Sequence, residues 1–222
     1  HLAAVGRVTA RLAHEIKNPL GAVRGMTQIL CERLRDQPDL LQHLQLMESE
    51  TTRLEKLAQN ILDFSRPVEV HPVLCDLRSL LYEMRSYYQL SASSTTVCLH
   101  VPDAEIYAWL DPDAGRQILL NLLHNAREAG GSEATIEVSC CETPTHVKVW
   151  VEDRGPGIDP AIRDTLFEPF VSTKSRGNGL GLAISRRLAE RMGGSLALLP
   201  REGGGCRAEW TIVRTEVEVV RA

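Results

Sequence analysis

Apolar residues recur at the spacing of an amphipathic helix in two long segments, residues 2–34 and 40–64. The polar segment between them, 35–39, contains Pro38, which suits a tight connection. Two helices joined so briefly must run antiparallel, and at this length each would extend about 40 to 50 Å. A lone hairpin of that length cannot bury its apolar stripe. We therefore expect two copies to pair as a dimeric four-helix bundle.

The pattern changes near residue 66, where Pro67 ends the second helix because the residue before a proline avoids the helical region. Helices and short strands then alternate, which predicts an α/β sandwich with the helices on one face of the sheet. The expected helices are near 76–90, 111–130 and 180–192, and the expected strands near 96–101, 106–110, 134–140, 146–152, 195–199 and 206–213. Asp111-Pro112 is typical of an N-cap and a first helical position, and Gly130-Gly131 is expected to end that helix. The predicted organisation is a helical hairpin (1–66), a linker (67–71), a second domain (72–214) and a tail (215–222).

The composition is that of a soluble globular protein, with 43% apolar and 24% charged residues in 222. A net charge of −4 gives no basic footprint, so nucleic acid is not an expected partner. No apolar run approaches the length of a membrane span, and no signal segment begins the chain. Because the first residue is His1 rather than Met, we interpret the chain as a fragment of a longer protein. We expect this fragment to be cytoplasmic. Membrane contact is expected only through a preceding region.

The six cysteines are scattered and include no C-x-x-C pair. A disulfide framework or a Cys/His metal site is not indicated, and we expect buried thiols in a reducing cytosol. The adjacent Cys140 and Cys141 should point to opposite faces of a strand.

The segment HEIKNP, residues 14–19, places a histidine and a proline inside the first helix. On a helical projection His14 lies about 180° from the centre of the apolar stripe, and Asn18 shares its face. His14 is therefore not a core residue, and no second His or Cys lies within two turns to support metal binding. A solvated surface histidine remains an alternative. Pro19 costs about 3 kcal/mol in a helix interior, which favours a functional reason for the segment.

Asn121 and Asn125 lie four residues apart and share one face of a predicted helix. Amide oxygens in that arrangement can ligate a hard cation such as Mg²⁺, although two surface asparagines would give the same pattern.

The segment Asp153-Arg154-Gly155-Pro156-Gly157 directly follows a predicted strand. A carboxylate at a strand's end can accept a hydrogen bond from the amino group of a base, and glycines let a planar ring approach the backbone. An ordinary turn is the alternative interpretation.

The segment 177–182, Gly-Asn-Gly-Leu-Gly-Leu, begins a predicted helix, whose free N–H groups favour anions such as phosphate. It lacks the ending of a Walker loop and the preceding strand of a Rossmann fingerprint. Lys174 and Arg176 just upstream could pair with phosphate, or could be solvated cations.

In this order HEIKNP, N-L-L-x-N-A, D-x-G-x-G, Phe-Glu-Pro-Phe (167–170) and G-x-G-L-G-L resemble the H, N, G1, F and G2 boxes of the sensor histidine kinases of two-component systems. The resemblance covers nearly all of residues 2–213. The segment 170–174 and the short lid are similar to the nitrogen-regulation type. A nucleotide-driven clamp ATPase of the same superfamily would lack HEIKNP on a hairpin. An inactive dimer scaffold would not need every box residue.

The resemblance implies a dimerisation and histidine-phosphotransfer hairpin, followed by an ATP-binding domain of the gyrase, heat-shock chaperone and histidine kinase superfamily. It implies that His14 attacks the γ-phosphate of ATP and that Glu15 hydrogen-bonds the other ring nitrogen. The phosphoryl group then passes to an aspartate on the receiver domain of a response regulator. Asn18 matches the position that orients a water for dephosphorylation of that regulator.

The resemblance also implies roles at the nucleotide. Asn125 would ligate Mg²⁺ with Asn121 assisting at the phosphates, Glu128 would position a metal-bound water, and Asp153 would select adenine. The remaining residues expected around ATP are Gly155, Gly157, Ile158, Lys174, Gly177, Gly179, Leu180, Gly181 and Leu182.

Overall fold

The computed structural model describes residues 2–34, 38–65, 69–91, 95–131, 134–172 and 179–214. The chain divides into two compact units, His1–Pro67 and Val68–Ala222. The predicted tail, 215–222, and residues 67–68 of the predicted linker lie outside the described residues. Within the described ranges, no helix combines the length and the apolarity that crossing a membrane requires.

The first unit is a hairpin of two long helices, α1 (Leu2–Arg33) and α2 (Pro38–Ser65). The helices run antiparallel, since Gln28 pairs with Glu48 at 2.9 Å while the earlier Arg24 pairs with the later Glu55, also at 2.9 Å. Buried residues at their contact include Thr27, Leu44, Thr51 and Ala58. The predicted hairpin is confirmed, and α1 continues through Pro19.

Much of the apolar stripe on α1 remains exposed in a single hairpin. Met26 retains 58% of its accessible surface and Leu30 retains 44%. Other large apolar side chains left exposed on the two helices are Ile16, Val23, Ile29, Leu40, Leu46, Met47 and Leu54. One partner helix therefore covers only part of the stripe.

The second unit is built on a mixed five-stranded sheet in the order β2-β4-β5-β7-β6. Its strands are β2 (Thr96–His100), β4 (Thr135–Glu142), β5 (His146–Glu152), β6 (Ser195–Pro200) and β7 (Cys206–Val213). Strand β2 is parallel to β4, and the other neighbours are antiparallel. A separate antiparallel pair joins β1 (Val73–Asp76) to β3 (Tyr107–Leu110).

Three helices cover one face of this sheet: α3 (Leu77–Ser91), α4 (Pro112–Gly130) and α5 (Gly181–Arg191). Side chains alternate along each strand, and one register row across β4, β5, β7 and β6 consists of the buried Cys140, Val149, Trp210 and Leu196. The opposite face is charged, with Lys148 paired to Glu209 across two strands at 2.8 Å. The predicted α/β sandwich is confirmed.

Two short elements were not predicted. Strand β1 occupies residues 73–76, where the sequence predicted only a helix beginning near 76. The Asp76 carboxylate ends the strand and accepts hydrogen bonds from the Arg78 N–H at 3.0 Å and from the Ser79 hydroxyl, which starts α3 at Leu77. A short 3-10 helix, Pro160–Thr165, is capped by Asp159.

The six cysteines are free thiols. Cys140 is buried and Cys141 is partly exposed, so the prediction that they face opposite sides of a strand is confirmed. The expectation of six buried thiols was wrong, because only Cys140 is fully enclosed and the others are partly exposed. Burial raises the pKa of the Cys140 thiol to about 11.

Candidate functional site

Helix α4 supplies the two asparagines predicted from the sequence. Asp111 caps its first turn by accepting hydrogen bonds from the Asp113 and Ala114 N–H groups at 2.9 and 3.1 Å. The apolar residues of α4 turn toward the sheet and are buried. Asn121 and Asn125 remain half-buried on another side of the helix.

Asn121 joins α4 to the beginning of α5. Its Nδ2 donates a hydrogen bond to the Ser185 hydroxyl at 2.9 Å. A Cβ atom added at Gly181 would lie only 2.6 Å from the Asn121 Oδ1, so the amide lies directly against the backbone of that glycine. The N-box and G2-box residues, which are far apart in sequence, are therefore in contact.

Asn125 and Glu128 differ in what surrounds them. Within the described part of the chain, the Asn125 side chain has no hydrogen-bond partner, which leaves its amide oxygen available to a cation. Glu128 is paired instead, with its Oε1 3.0 Å from the His124 Nε2 one turn earlier. A role for Glu128 at a metal-bound water remains a prediction.

Asp153 lies just beyond the end of β5 and is 7% exposed. Its Oδ1 accepts hydrogen bonds from the Gly155 N–H at 2.9 Å and the Cys206 N–H at 3.2 Å. The other carboxylate oxygen, Oδ2, has no hydrogen-bond partner among the described residues, yet it is not sealed from solvent. One oxygen is thus fixed by the backbone, and the second is open to an incoming donor.

The glycines around Asp153 allow three segments to meet. A Cβ at Gly155 would lie 2.7 Å from the Ala129 carbonyl oxygen on α4. A Cβ at Gly205 would lie 2.0 Å from the Asp153 carbonyl oxygen. Gly157 has a φ of +82°, and a Cβ there would lie 3.4 Å from the Gly205 carbonyl oxygen. The D-x-G-x-G segment is therefore enclosed between α4 and the turn before β7.

Sequence reasoning missed that turn. Residues Gly203, Gly204 and Gly205 all have positive φ, and Cys206 follows them with an N–H bond to Asp153. Burial and the nearby Asp153 charge raise the pKa of the Cys206 thiol to about 12. Three consecutive glycines between two predicted strands were a signal that the backbone passes close to another group.

Replacing Gly205 with alanine is expected to destabilise the fold by about 2 kcal/mol and to weaken nucleotide binding about tenfold. The added methyl group must displace the Asp153 backbone, since φ at Gly205 is +98° and the contact distance is 2.0 Å. Gly204→Ala is the matched control, because φ there is +97° but no atom lies within 4 Å. Thermal unfolding and binding of a fluorescent nucleotide measure the two effects. Equal losses of nucleotide affinity in both variants would show that contact with Asp153 is irrelevant.

The F-box and G2-box segments are also tied together. The Phe170 N–H donates to the Gly179 carbonyl at 3.1 Å, and a Cβ at Gly179 would lie 2.5 Å from the Phe170 carbonyl carbon. Phe170 itself has a φ of +67°, which is costly for an aromatic residue, and its side chain is 60% exposed. The Phe167 ring lies 5.2 Å from the Arg186 guanidinium carbon. These contacts fix both ends of the segment that joins the two boxes.

Helix α5 begins at Gly181, just after the fully buried Leu180. Its first N–H groups have no partner inside the helix, so they can bind an anion. Ile158 and Leu182 are partly exposed. Lys174 and Gly177 lie outside the described residues.

His14, Glu15 and Asn18 lie within α1, as predicted. Their side chains lie outside the described residues, so their roles remain predictions.

Two family models match the chain. Residues 4–69 match the His Kinase A (phospho-acceptor) domain, and residues 110–216 match the histidine kinase-, DNA gyrase B- and HSP90-like ATPase. The first model corresponds to the hairpin, which a clamp ATPase would lack, and the second corresponds to the sandwich with the candidate nucleotide site.

Individual proteins agree with the models. Sensor histidine kinase ZraS of Escherichia coli K12 is 34% identical over 208 residues, covering 92% of this chain and 44% of ZraS. Sensory histidine kinase/phosphatase NtrB of E. coli O157:H7 is 33% identical over 201 residues, covering 83% of this chain and 56% of NtrB. The crystal structure of histidine kinase ThkA in complex with response regulator protein TrrA has a TM-score of 0.73 and 28% identity, covering 96% of this chain and 63% of the ThkA chain.

A phospho-acceptor hairpin joined to a domain of this ATPase superfamily defines a class of signalling kinases. The chain belongs to the sensor histidine kinases of two-component systems. It spans less than half of the length of ZraS, of which 44% is covered.

Proposed function

We propose that this chain is the catalytic portion of a protein-histidine kinase. It uses ATP to phosphorylate its own His14 and passes the phosphoryl group to an aspartate on a response-regulator receiver domain. The observation that carries the proposal is the Asp153 carboxylate, with one oxygen fixed by two backbone N–H groups and the other open. It is linked through α4 to the N-terminus of α5.

Helix α4 connects two ends of one nucleotide site. At its C-terminal end, Ala129 packs against Gly155 of the base-binding segment, and near its middle Asn121 packs against Gly181. In the proposed complex the open Asp153 oxygen accepts the adenine amino group, while the first turn of α5 binds phosphate oxygens. The contacts of α4 thus set the distance between base and phosphate recognition.

The residues near the phosphates fit a magnesium ion. Asn125 has an amide oxygen that no described residue engages, and Asn121 lies one turn away. No group of three or more His, Cys, Asp or Glu side chains suited to a metal occurs in the described ranges. A bound Mg²⁺ would therefore take most ligands from water and phosphate, as this ion commonly does, and would neutralise phosphate charge.

On the hairpin, His14 is proposed as the nucleophile. A neutral imidazole is abundant near pH 7 and can attack phosphorus directly, and Glu15 is proposed to hold the tautomer with the reactive nitrogen free. Asn18 is proposed to orient a water for dephosphorylation of the regulator. The ThkA structure contains a response regulator, and NtrB is named a kinase/phosphatase, which supports both reactions.

A second copy of the chain is proposed to cover the exposed stripe of the hairpin. Ile16, Val23, Met26 and Leu30 lie on the side of α1 that α2 leaves open. Burying them against the same surface of another hairpin would complete a four-helix bundle. We expect this assembly to work in the cytoplasm, where ATP and a receiver domain are both present.

Labelling with γ-labelled ATP and Mg²⁺ tests the proposal. The chain is expected to acquire label that acid releases and alkali retains, which is the behaviour of phosphohistidine. A receiver domain added afterwards should remove the label, and chelation of Mg²⁺ beforehand should prevent it. Acid-stable label would indicate a hydroxyl acceptor and contradict the proposal. Absence of label from a chain that binds ATP would support the inactive scaffold instead.

A further inference from the structure

We propose that Ser185 is a positioning residue for phosphoryl transfer, acting through Asn121. Its hydroxyl accepts a hydrogen bond from the Asn121 Nδ2 and so holds the amide in one orientation against Gly181, in the first turn of α5. This inference rests on the proposed function, since it concerns the phosphate end of the same site.

Ser185 lies on the inner side of α5 and has no exposed surface. Burying a hydroxyl is unfavourable unless it is hydrogen-bonded, and serine is a poorer helix former than alanine. Stability alone would favour alanine at this position. The hydrogen bond that the structure gives this side chain comes from the Asn121 Nδ2 at 2.9 Å, across 64 residues of sequence.

The bond holds the amide flat against the first turn of α5. Nδ2 is engaged by Ser185, and Oδ1 and Nδ2 lie 2.6 and 2.8 Å from where a Cβ of Gly181 would be. Only a glycine leaves room for this approach. An amide oxygen can bind a cation or accept a hydrogen bond from a water on it, whereas the NH₂ end cannot.

Without the hydroxyl, the Asn121 Nδ2 loses its partner, and the amide is no longer held in one orientation against Gly181. Phosphoryl transfer should slow, because Asn121 contacts α5 at the phosphate end of the site. Recognition of the base should be preserved, because Asp153 is held by the N–H groups of Gly155 and Cys206 and not by the Asn121–Ser185 pair.

Ser185→Ala is therefore expected to slow labelling at saturating ATP about tenfold, while magnesium-free ADP binds within twofold of the wild type. Ile184→Val is the matched control, since it trims a neighbouring residue of α5, 8% exposed, and leaves both partners of the Asn121–Ser185 hydrogen bond in place. In that control the labelling rate and the affinity for ADP should both stay within twofold of the wild type. Adding Ser185→Ala to Asn121→Ala should not lower the labelling rate further, because the hydroxyl acts only through the Asn121 amide.

Three results would overturn the inference: labelling by Ser185→Ala within twofold of wild type, equal losses of rate and of ADP affinity, or an equal loss in Ile184→Val. A wild type that does not label would count against the proposed function instead. Ser185 is then tested by the gain in ATP affinity that Mg²⁺ produces, which needs no transfer. That gain in affinity should be smaller in Ser185→Ala. An unchanged gain would be enough to reject the role of Ser185, without any labelling result.

Discussion

His14→Gln is expected to reduce acid-labile labelling from ATP to background. Glutamine keeps the side chain polar and similar in length, but its amide nitrogen is not a nucleophile, so no phosphoramidate can form. Nucleotide affinity should be unchanged, because the residues proposed to bind the nucleotide, Asp153 and the α4 asparagines, belong to the other compact unit. Labelling and nucleotide affinity, measured together, distinguish loss of the phosphoacceptor from loss of nucleotide binding.

His43→Gln is the matched control for this variant. His43 is an exposed histidine on α2 of the same hairpin, and it should label at the wild-type rate. Acid-labile label that persists in His14→Gln would mean that a different histidine accepts the phosphoryl group. The interpretation of HEIKNP would then be wrong, even though the family assignment would stand.

The long elements were predictable because their signals are local. The two hairpin helices repeat their apolar residues over many turns, which no strand can imitate. Helix α4 was bounded in advance by Asp111-Pro112 and by Gly130-Gly131, and the structure confirms Asp111 as its cap and Gly130 as its last residue. Capping depends on residues within one turn, so the sequence contains all the information required.

Short elements were harder to predict from the sequence, for a physical reason. Strand β1 is only four residues long, and a run of that length fits one turn of helix as well as a strand. It forms because β3, Tyr107–Leu110, pairs with it from further along the chain. The left-handed backbone at Phe170 was equally hidden, since nothing in an aromatic residue predicts positive φ.

The candidate site, too, was only partly predictable from the sequence. The motif residues Asn121 and Asp153 could be named from the sequence, but the groups that hold them could not. Ser185 and Cys206 are 64 and 53 residues from the side chains they contact. Such contacts depend on the order and register of the strands, which hydrophobic periodicity does not determine.

Asp153→Asn is expected to lower ATP affinity about 100-fold without unfolding the domain. The amide oxygen can take the place of Oδ1 and keep the bonds from the Gly155 and Cys206 N–H groups. The amide nitrogen then replaces Oδ2, the oxygen left open. A donor would face the amino group of adenine, which is also a donor, so the two would repel.

The same geometry makes a prediction about the base. Inosine triphosphate carries a carbonyl where ATP has the amino group, so Asp153→Asn should bind it better, relative to ATP, than the wild type does. Glu152→Gln removes the same charge one residue earlier, where the side chain pairs with Arg207 at 2.8 Å, and should leave ATP affinity within twofold. Competition against a fluorescent nucleotide measures each of these affinities. If Asp153→Asn weakened both nucleotides equally, the carboxylate would act by shaping the D-x-G-x-G turn. A reversed preference, with inosine triphosphate bound more tightly than ATP, requires the open oxygen to face the base, because a distorted turn weakens the discrimination between an amino group and a carbonyl but does not reverse it.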